Sequence, residues 1–178
     1  MVKKIDYYKN FDIPSKYRKS IILIGNFDGL HLGHQKLFKF AKEYKKKFRL
    51  KIGVVTFEPM PKMYFNKNIK NFRISNKKQK INLLNKFNVD FVIIKKFDKK
   101  FSKIKSIDFI KKILSKKLNV RFIFVSNNFR FGNKREGDVR QLIKYEHQCN
   151  YKIIKPKPLS IKKKSSLFNF NKKLFAKG

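Results

Sequence analysis

The 178-residue chain has the length of a single domain. It is 42% hydrophobic, with 20 phenylalanines, and carries a formal charge of +36. That aromatic content excludes a disordered charged chain, which has too little apolar surface to offset its ordering entropy. The single cysteine, Cys149, excludes a disulfide scaffold and a four-cysteine zinc site. No apolar run approaches a membrane span, and the N-terminus lacks the apolar core of a secretory signal. The chain therefore reads as soluble and cytoplasmic, with no membrane partner.

Two periodicities alternate along the sequence. Ser20–Asn26 is a short apolar run of strand type, and from His34 to Phe48 the apolar residues fall near helical spacing. Lys51–Phe57 is β-branched and apolar, a second strand. Ile81, Leu84 and Phe87 then recur every three residues, a helix for which Ser75 can serve as N-cap. Asp90–Lys95 is a third strand, and Ile107, Ile110, Ile113, Leu114 and Leu118 mark a helix face opening behind Ser106. Val120–Val125 is a fourth strand, Asp138–Gln148 a fourth helix carrying a structural His147, and Tyr151–Ile154 a fifth strand. Such alternation predicts an α/β fold: a Rossmann-like open parallel sheet of about five strands with helices on both faces. Residues 1–158 form the expected domain, and residues 159–178 a basic tail that begins beyond Pro158.

The charge is weaker information than its size. Lysine outnumbers arginine 40 to 7, and Lys, Asn, Ile, Phe and Tyr make up 103 of the 178 residues. All five have codons rich in A and T, so a low-GC coding bias produces this profile without a nucleic-acid partner. Base readout also favours arginine, whose planar fork makes bidentate contacts. The two ten-residue blocks without lysine, 21–30 and 121–130, are those with the most ordered motif content. No specific nucleic-acid partner is expected, and the sequence carries no signal of oligomeric state.

In an open α/β sheet, ligands sit outside the carboxyl ends of the strands. After the first strand comes Gly25-Asn26-Phe27-Asp28-Gly29-Leu30-His31-Leu32-Gly33-His34-Gln35, leading into a helix. Glycines let the backbone approach a ligand closely, and a helix start offers unpaired N–H groups and a positive dipole end. Two of the three histidines in the chain, His31 and His34, lie here and can donate to the same phosphoryl oxygens. No third ligand of the right kind accompanies them for a metal. The string reads as a phosphate site.

Further residues follow the other strands. In Pro59-Met60-Pro61 the prolines fix φ and are expected to hold an extended loop beside the site. Phe57, Tyr64 and Phe65 can present faces to a flat ring, although Phe57 is equally well the last core residue of its strand. Asn128 has an amide able to bond the polar edge of a flat ring, or serves only to favour a turn. Phe129 and Phe131 are expected to point in alternate directions, one stacking and one packing inward.

At these residues the sequence resembles a known family. His31-Leu32-Gly33-His34 is similar to the H-x-G-H signature of the nucleotidyltransferase superfamily, and Gly25–Gln35 to the version found in bacterial FAD synthetases. Thr56-Phe57-Glu58-Pro59-Met60-Pro61 is similar to that family's T-F-x-P-H-P motif. Asn127-Asn128-Phe129-Arg130-Phe131-Gly132 is similar to its N/D-F-x-F-G motif, followed by Arg135-x-Gly137-Asp138. The resemblance is collinear over about residues 20–150 and implies transfer of AMP from ATP to FMN, giving FAD and pyrophosphate. It implies His31 and His34 as catalytic residues, and Gly25, Asn26, Phe27, Asp28, Gly33, Ser165 and Ser166 at ATP. It further implies Phe57, Pro59, Pro61, Asn128 and Phe129 at FMN, and Mg²⁺ with the triphosphate, on ligands the sequence does not identify.

The chain also departs from the family pattern. Met60 stands where histidine is usual, which bears on one polar contact near the flavin, and Ser126 replaces a usual glycine. The I-S-S-T-x-x-R element that wraps the nucleotide phosphates is matched only by Lys164-Ser165-Ser166-Leu167-Phe168-Asn169, with Asn169 where the arginine is expected. No riboflavin kinase motif is found, so no such domain is expected. The alternatives at this stage are the same fold acting on another small phosphate ester, a degenerate flavin- or nucleotide-binding domain, and a basic nucleic-acid-binding protein.

Overall fold

The computed structural model describes residues 5–28, 32–66, 68 and 77–155. The sheet comprises β1 (Asp6–Tyr8), β2 (Ile21–Ile24), β3 (Ile52–Glu58), β4 (Phe91–Lys96), β5 (Phe122–Phe124) and, after a hairpin described below, a last strand, Lys152–Ile154. All pairings are parallel, and the order across the sheet is β1, β4, β3, β2, β5, last strand. Five of the six correspond to the runs read from the sequence. The sixth, β1, was not expected: Asp6-Tyr7-Tyr8 has no apolar run, and it joins the edge of the sheet by pairing with β4 more than 80 residues on.

Side chains alternate across the sheet plane, as the period of a strand requires. Ile21 and Leu23 of β2 pack with Leu37, Phe38 and Ala41 of α1 (Leu32–Phe48) and with Leu84 of α3 (Lys77–Lys86). α2 (Pro61–Phe65) is a short turn of helix after β3, and α4 (Lys99–Ser102) another after β4. On the opposite face Ile22 and Ile24 pack with Ile110, Ile113, Leu114 and Leu142. The helix expected behind Ser106 begins at Ser106 itself: α5 (Ser106–Asp108) runs on into Phe109–Lys117, wound with the wider five-residue repeat. Helices therefore cover both faces of the sheet.

After β5 the chain forms a small antiparallel pair, β6 (Arg130–Phe131) and β7 (Gly137–Asp138), and then α6 (Val139–Lys144); the last strand of the sheet is thus β8. α6 is shorter than the expected Asp138–Gln148. Asp138 is its N-cap, accepting from the Gln141 N–H at 2.9 Å, and His147 lies in the turns beyond its end. No helix among the described residues is long and apolar enough to cross a membrane. Ser75 and the tail from residue 156, with Ser165, Ser166 and Asn169, lie outside the described residues.

Candidate active site

The strand order reverses at β2. The chain steps from β2 to β3 and β4 on one side, then returns to place β5 on the other. That switch point leaves a crevice at the carboxyl ends of β2 and β5, the standard ligand position in such sheets. A cleft of about 1220 Å³ occupies it, lined by the segments that follow β2, β3, β4 and β5.

The segment after β2 is held tightly. The Gly25 N–H donates to the Val55 carbonyl at 3.1 Å, extending the ladder with β3. A Cβ on Gly25 would lie 3.2 Å from the Phe27 ring, so a side chain there would press on that ring. Phe27 adopts φ +46°, an uncommon region for a bulky residue, and is 1% exposed. Its ring sits 5.3 Å from Phe38 and 5.1 Å from His34, centroid to centroid. His34 is thus seated by Phe27 in the first turn of α1, where backbone N–H groups and the helix dipole favour an anion. Gly25, Asn26, Phe27, Asp28, Gly33 and His34 all line the cleft, joined by Lys36. His31 lies outside the described residues.

The segment after β3 differs from expectation. It is not an extended loop, because Pro61 is the first residue of α2, a position whose missing N–H costs nothing. Pro61, Phe57 and the buried Met60 line the cleft, whereas Pro59 is not among its lining residues. Phe57 is both core and wall: it is 9% exposed, with Phe101 at 5.6 Å and Phe97 at 6.1 Å. Phe65 and Tyr64 meet Phe97 edge-on at 5.8 and 5.2 Å. Rings then continue along the cleft from Phe101 to Phe109, Phe131 and Phe129.

Phe129 and Phe131 do not alternate. Their rings stack at 5.6 Å and 17°, Phe129 in the turn just before β6 lying alongside the buried Phe131. Asn128 lies at the tip of the preceding turn, exposed, with its Oδ1 accepting from the Ser126 hydroxyl at 2.8 Å. Asn128, Phe129 and Ser126 all line the cleft.

The β6–β7 hairpin closes the far end. Gly132 has φ +77°, and a Cβ there would fall 2.8 Å from the Ser106 backbone, so only glycine fits. Glu136 Oε1 accepts from the Ser106 N–H at 2.6 Å, tying the hairpin to the start of α5. Lys134 and Arg135 follow with φ +49° and +61°, strained for side-chain-bearing residues, and both line the cleft beside Arg130. Asp138 stands 3.5 Å from Arg130 Nη1. Its carboxyl is held below the usual range first by the Gln141 N–H and then by Arg130 and Arg140.

Among the described residues, five cations, Lys36, Lys62, Arg130, Lys134 and Arg135, line the cleft against one carboxylate, Asp28. One wall is a run of aromatic faces and the other a helix start with a histidine. Such a cleft suits an anion attached to a flat ring system. The comparisons with known proteins point the same way: the model of the family described as FAD synthetase matches residues 13–166. The chain belongs to the FAD synthetase family.

Two curated relatives place it within that family. A bifunctional riboflavin kinase/FMN adenylyltransferase from Buchnera aphidicola subsp. Acyrthosiphon pisum is 41% identical over 79% of this chain and 45% of its own length. One of the same description from Escherichia coli K12 is 37% identical over 75% of this chain and 42% of its own. The chain spans about half the length of the curated relatives it matches. A crystal structure described as a macrolide-efflux protein from Streptococcus pneumoniae superposes with a TM-score of 0.71 at 23% identity. It covers 88% of this chain and 51% of that one, and shows the fold alone.

Within this FAD synthetase fold, sequence reading missed several cleft residues. Phe97 and Phe101 sit in and after the loop following β4, a segment with no motif. Lys36, Lys62 and Lys134 were indistinguishable from the lysine background. Phe97 carried one usable signal, its place just past a strand's carboxyl end.

Proposed function

We propose that this chain transfers the adenylyl group of ATP to the phosphate of FMN, forming FAD and pyrophosphate. An FMN phosphate oxygen attacks the α-phosphorus of ATP in line. The new P–O bond forms as the bond to the pyrophosphate oxygen breaks, and pyrophosphate leaves with the electron pair. With no covalent enzyme intermediate, catalysis consists of positioning and charge stabilisation. The observation that carries this reading is one cleft at the β2/β5 switch point, with a histidine-bearing helix start facing a wall of aromatic rings.

In this reading His34, with His31, donates to the transferring phosphate, while Gly25–Asp28 and Gly33 cradle the triphosphate. Phe57, Pro61, Phe65, Phe97, Phe101 and Phe129 form the flavin side, and Asn128 offers its amide N–H groups to a ring edge. Arg130, Lys134 and Arg135 supply cations to the departing pyrophosphate, and Ser165 and Ser166 are assigned to ATP. Asn169 in place of the family arginine makes modest turnover part of the proposal.

Among the described residues no group of three His, Cys, Asp or Glu is placed to hold a metal. Mg²⁺ delivered on ATP requires less, since it takes one or two carboxylates plus substrate phosphates. Asp28 fits that demand and would hold it; the ion would neutralise charge on the triphosphate. Residues 1–158 form the nucleotidyltransferase domain of this proposal and residues 159–178 its basic tail, acting in the cytoplasm without a specific nucleic-acid partner.

The test is direct. FAD formation quenches FMN emission, so the chain with ATP, FMN and Mg²⁺ should lose fluorescence in step with pyrophosphate release. Emission that stays constant while ATP is bound would remove the assignment.

A further inference from the structure

Lys80 of α3 is the only lysine in the buried class among the described residues, at 5% exposure. Its ammonium donates to the Asn26 carbonyl at 3.0 Å, and the hydroxyl of the fully buried Thr56 donates to the same oxygen at 3.1 Å. Two donors from two elements thus grip one carbonyl in the segment that lines the cleft after β2. We propose that Lys80 is a positioning residue for the nucleotide phosphates: with Thr56 it turns the Asn26 carbonyl inward and so presents the Phe27 N–H to a phosphate oxygen.

The geometry follows from the peptide group. In a trans peptide the C=O and the following N–H point in opposite directions. Lys80 and Thr56 are not among the cleft-lining residues, whereas Asn26 and Phe27 are. A carbonyl fixed toward the first pair therefore sends the Phe27 N–H toward the cleft. Among the described residues nothing accepts from that N–H, although Phe27 is 1% exposed. A buried backbone donor calls for a partner, and here a ligand oxygen can provide it. The clamp also holds Phe27 at φ +46°, the conformation that lays its ring against His34. Lys80 is thereby linked to both phosphate-facing groups without touching the reacting atoms.

This inference rests on the adenylyl-transfer reading for the identity of the nucleotide, but its test reads ATP affinity and not FAD formed, so failure of the reaction assignment does not move it. Titration calorimetry with Mg·ATP and fluorescence titration with FMN are run on the wild type, Lys80→Met and Lys80→Arg. Lys80→Met should weaken ATP binding about tenfold, the scale of one lost hydrogen bond. FMN affinity should stay within about twofold, and Lys80→Arg, which keeps a donor, should recover part of the loss. The thermal midpoint of Lys80→Met is measured beside the titrations, so that a loss confined to ATP is read on folded protein. ATP affinity unchanged in Lys80→Met, or ATP and FMN affinity lost together, would overturn the proposal. Should Lys80→Met fail to fold, Thr56→Val removes the second donor from the same carbonyl. A selective loss of ATP affinity there supports the clamp, and unchanged affinity refutes it.

Discussion

The rings of Phe27 and His34 lie 5.1 Å apart, and that contact joins the turn after β2 to the first turn of α1. Phe27 is fixed from below by Phe38 at 5.3 Å, so the imidazole rests on a buried, immobile aromatic. A histidine placed in this way is preorganised for charge that develops at the helix start.

His34→Ala should therefore lower the rate of FAD formation by about 10²–10³, the usual cost of one preorganised donor. FMN affinity should change little, because the flavin wall belongs to other elements. Steady-state kinetics beside a fluorescence titration separates the two, and an unchanged rate would take His34 out of the chemistry.

Phe65 offers a different handle. It is 66% exposed yet lines the cleft and meets Phe97 at 5.8 Å. Phe65→Ala should raise the KM for FMN about two- to tenfold, the range of one aromatic contact worth about 0.5–1.5 kcal/mol. The KM for ATP and the thermal midpoint should hold, since a surface change usually stays within about 0.5 kcal/mol.

How far the sequence anticipated this site depends on what each residue answers to. β2, β3, β4 and β5 are largely buried apolar runs and β8 a partly buried one, so local pattern was enough to find them. β1 was invisible because Asp6-Tyr7-Tyr8 becomes a strand only by pairing with β4. Asn26 and Phe27 were legible through their place in the loop between strand and helix, and Gly33 through its place at the start of α1. Phe97 and Phe101 were not, because only the closing of the chain brings them beside Phe57. Phe129 and Phe131 were misjudged, because the turn before β6 lays the Phe129 ring alongside that of Phe131. Lys80 looked like any other lysine until its burial was seen.

Gly132→Ala tests the hairpin. With φ at +77° and a Cβ 2.8 Å from the Ser106 backbone, the change should cost about 1–3 kcal/mol. For a chain of this size each kcal/mol lowers the thermal midpoint by about 2–4 °C. A midpoint equal to wild type would show that the hairpin accommodates a side chain.

Acid should unfold the chain partly through its helix caps. The Phe101 N–H holds the Asp98 carboxyl below its ordinary range, helped by Lys95 and Lys96, and the Gln141 N–H does the same for Asp138. Depressed folded values mean that this stability is present above the unfolded carboxylate pKa of about 3.9 and is lost as pH falls through the folded values. Thermal midpoints measured from pH 7 to pH 2 should drop below about pH 4. The drop should be shallower in the double variant Asp98→Asn, Asp138→Asn, whose caps no longer titrate. Parallel curves would contradict the assignment.

The central claim is adenylyl transfer at the β2/β5 cleft. ATP labelled at the α-phosphorus, incubated with FMN, Mg²⁺ and the chain, should pass its label to a product that co-migrates with FAD, one label per pyrophosphate released. The same incubation with His34→Ala should yield that product at least about a hundredfold more slowly. Label that stays in ATP with the wild-type chain, or that reaches FAD equally fast with His34→Ala, would contradict the account.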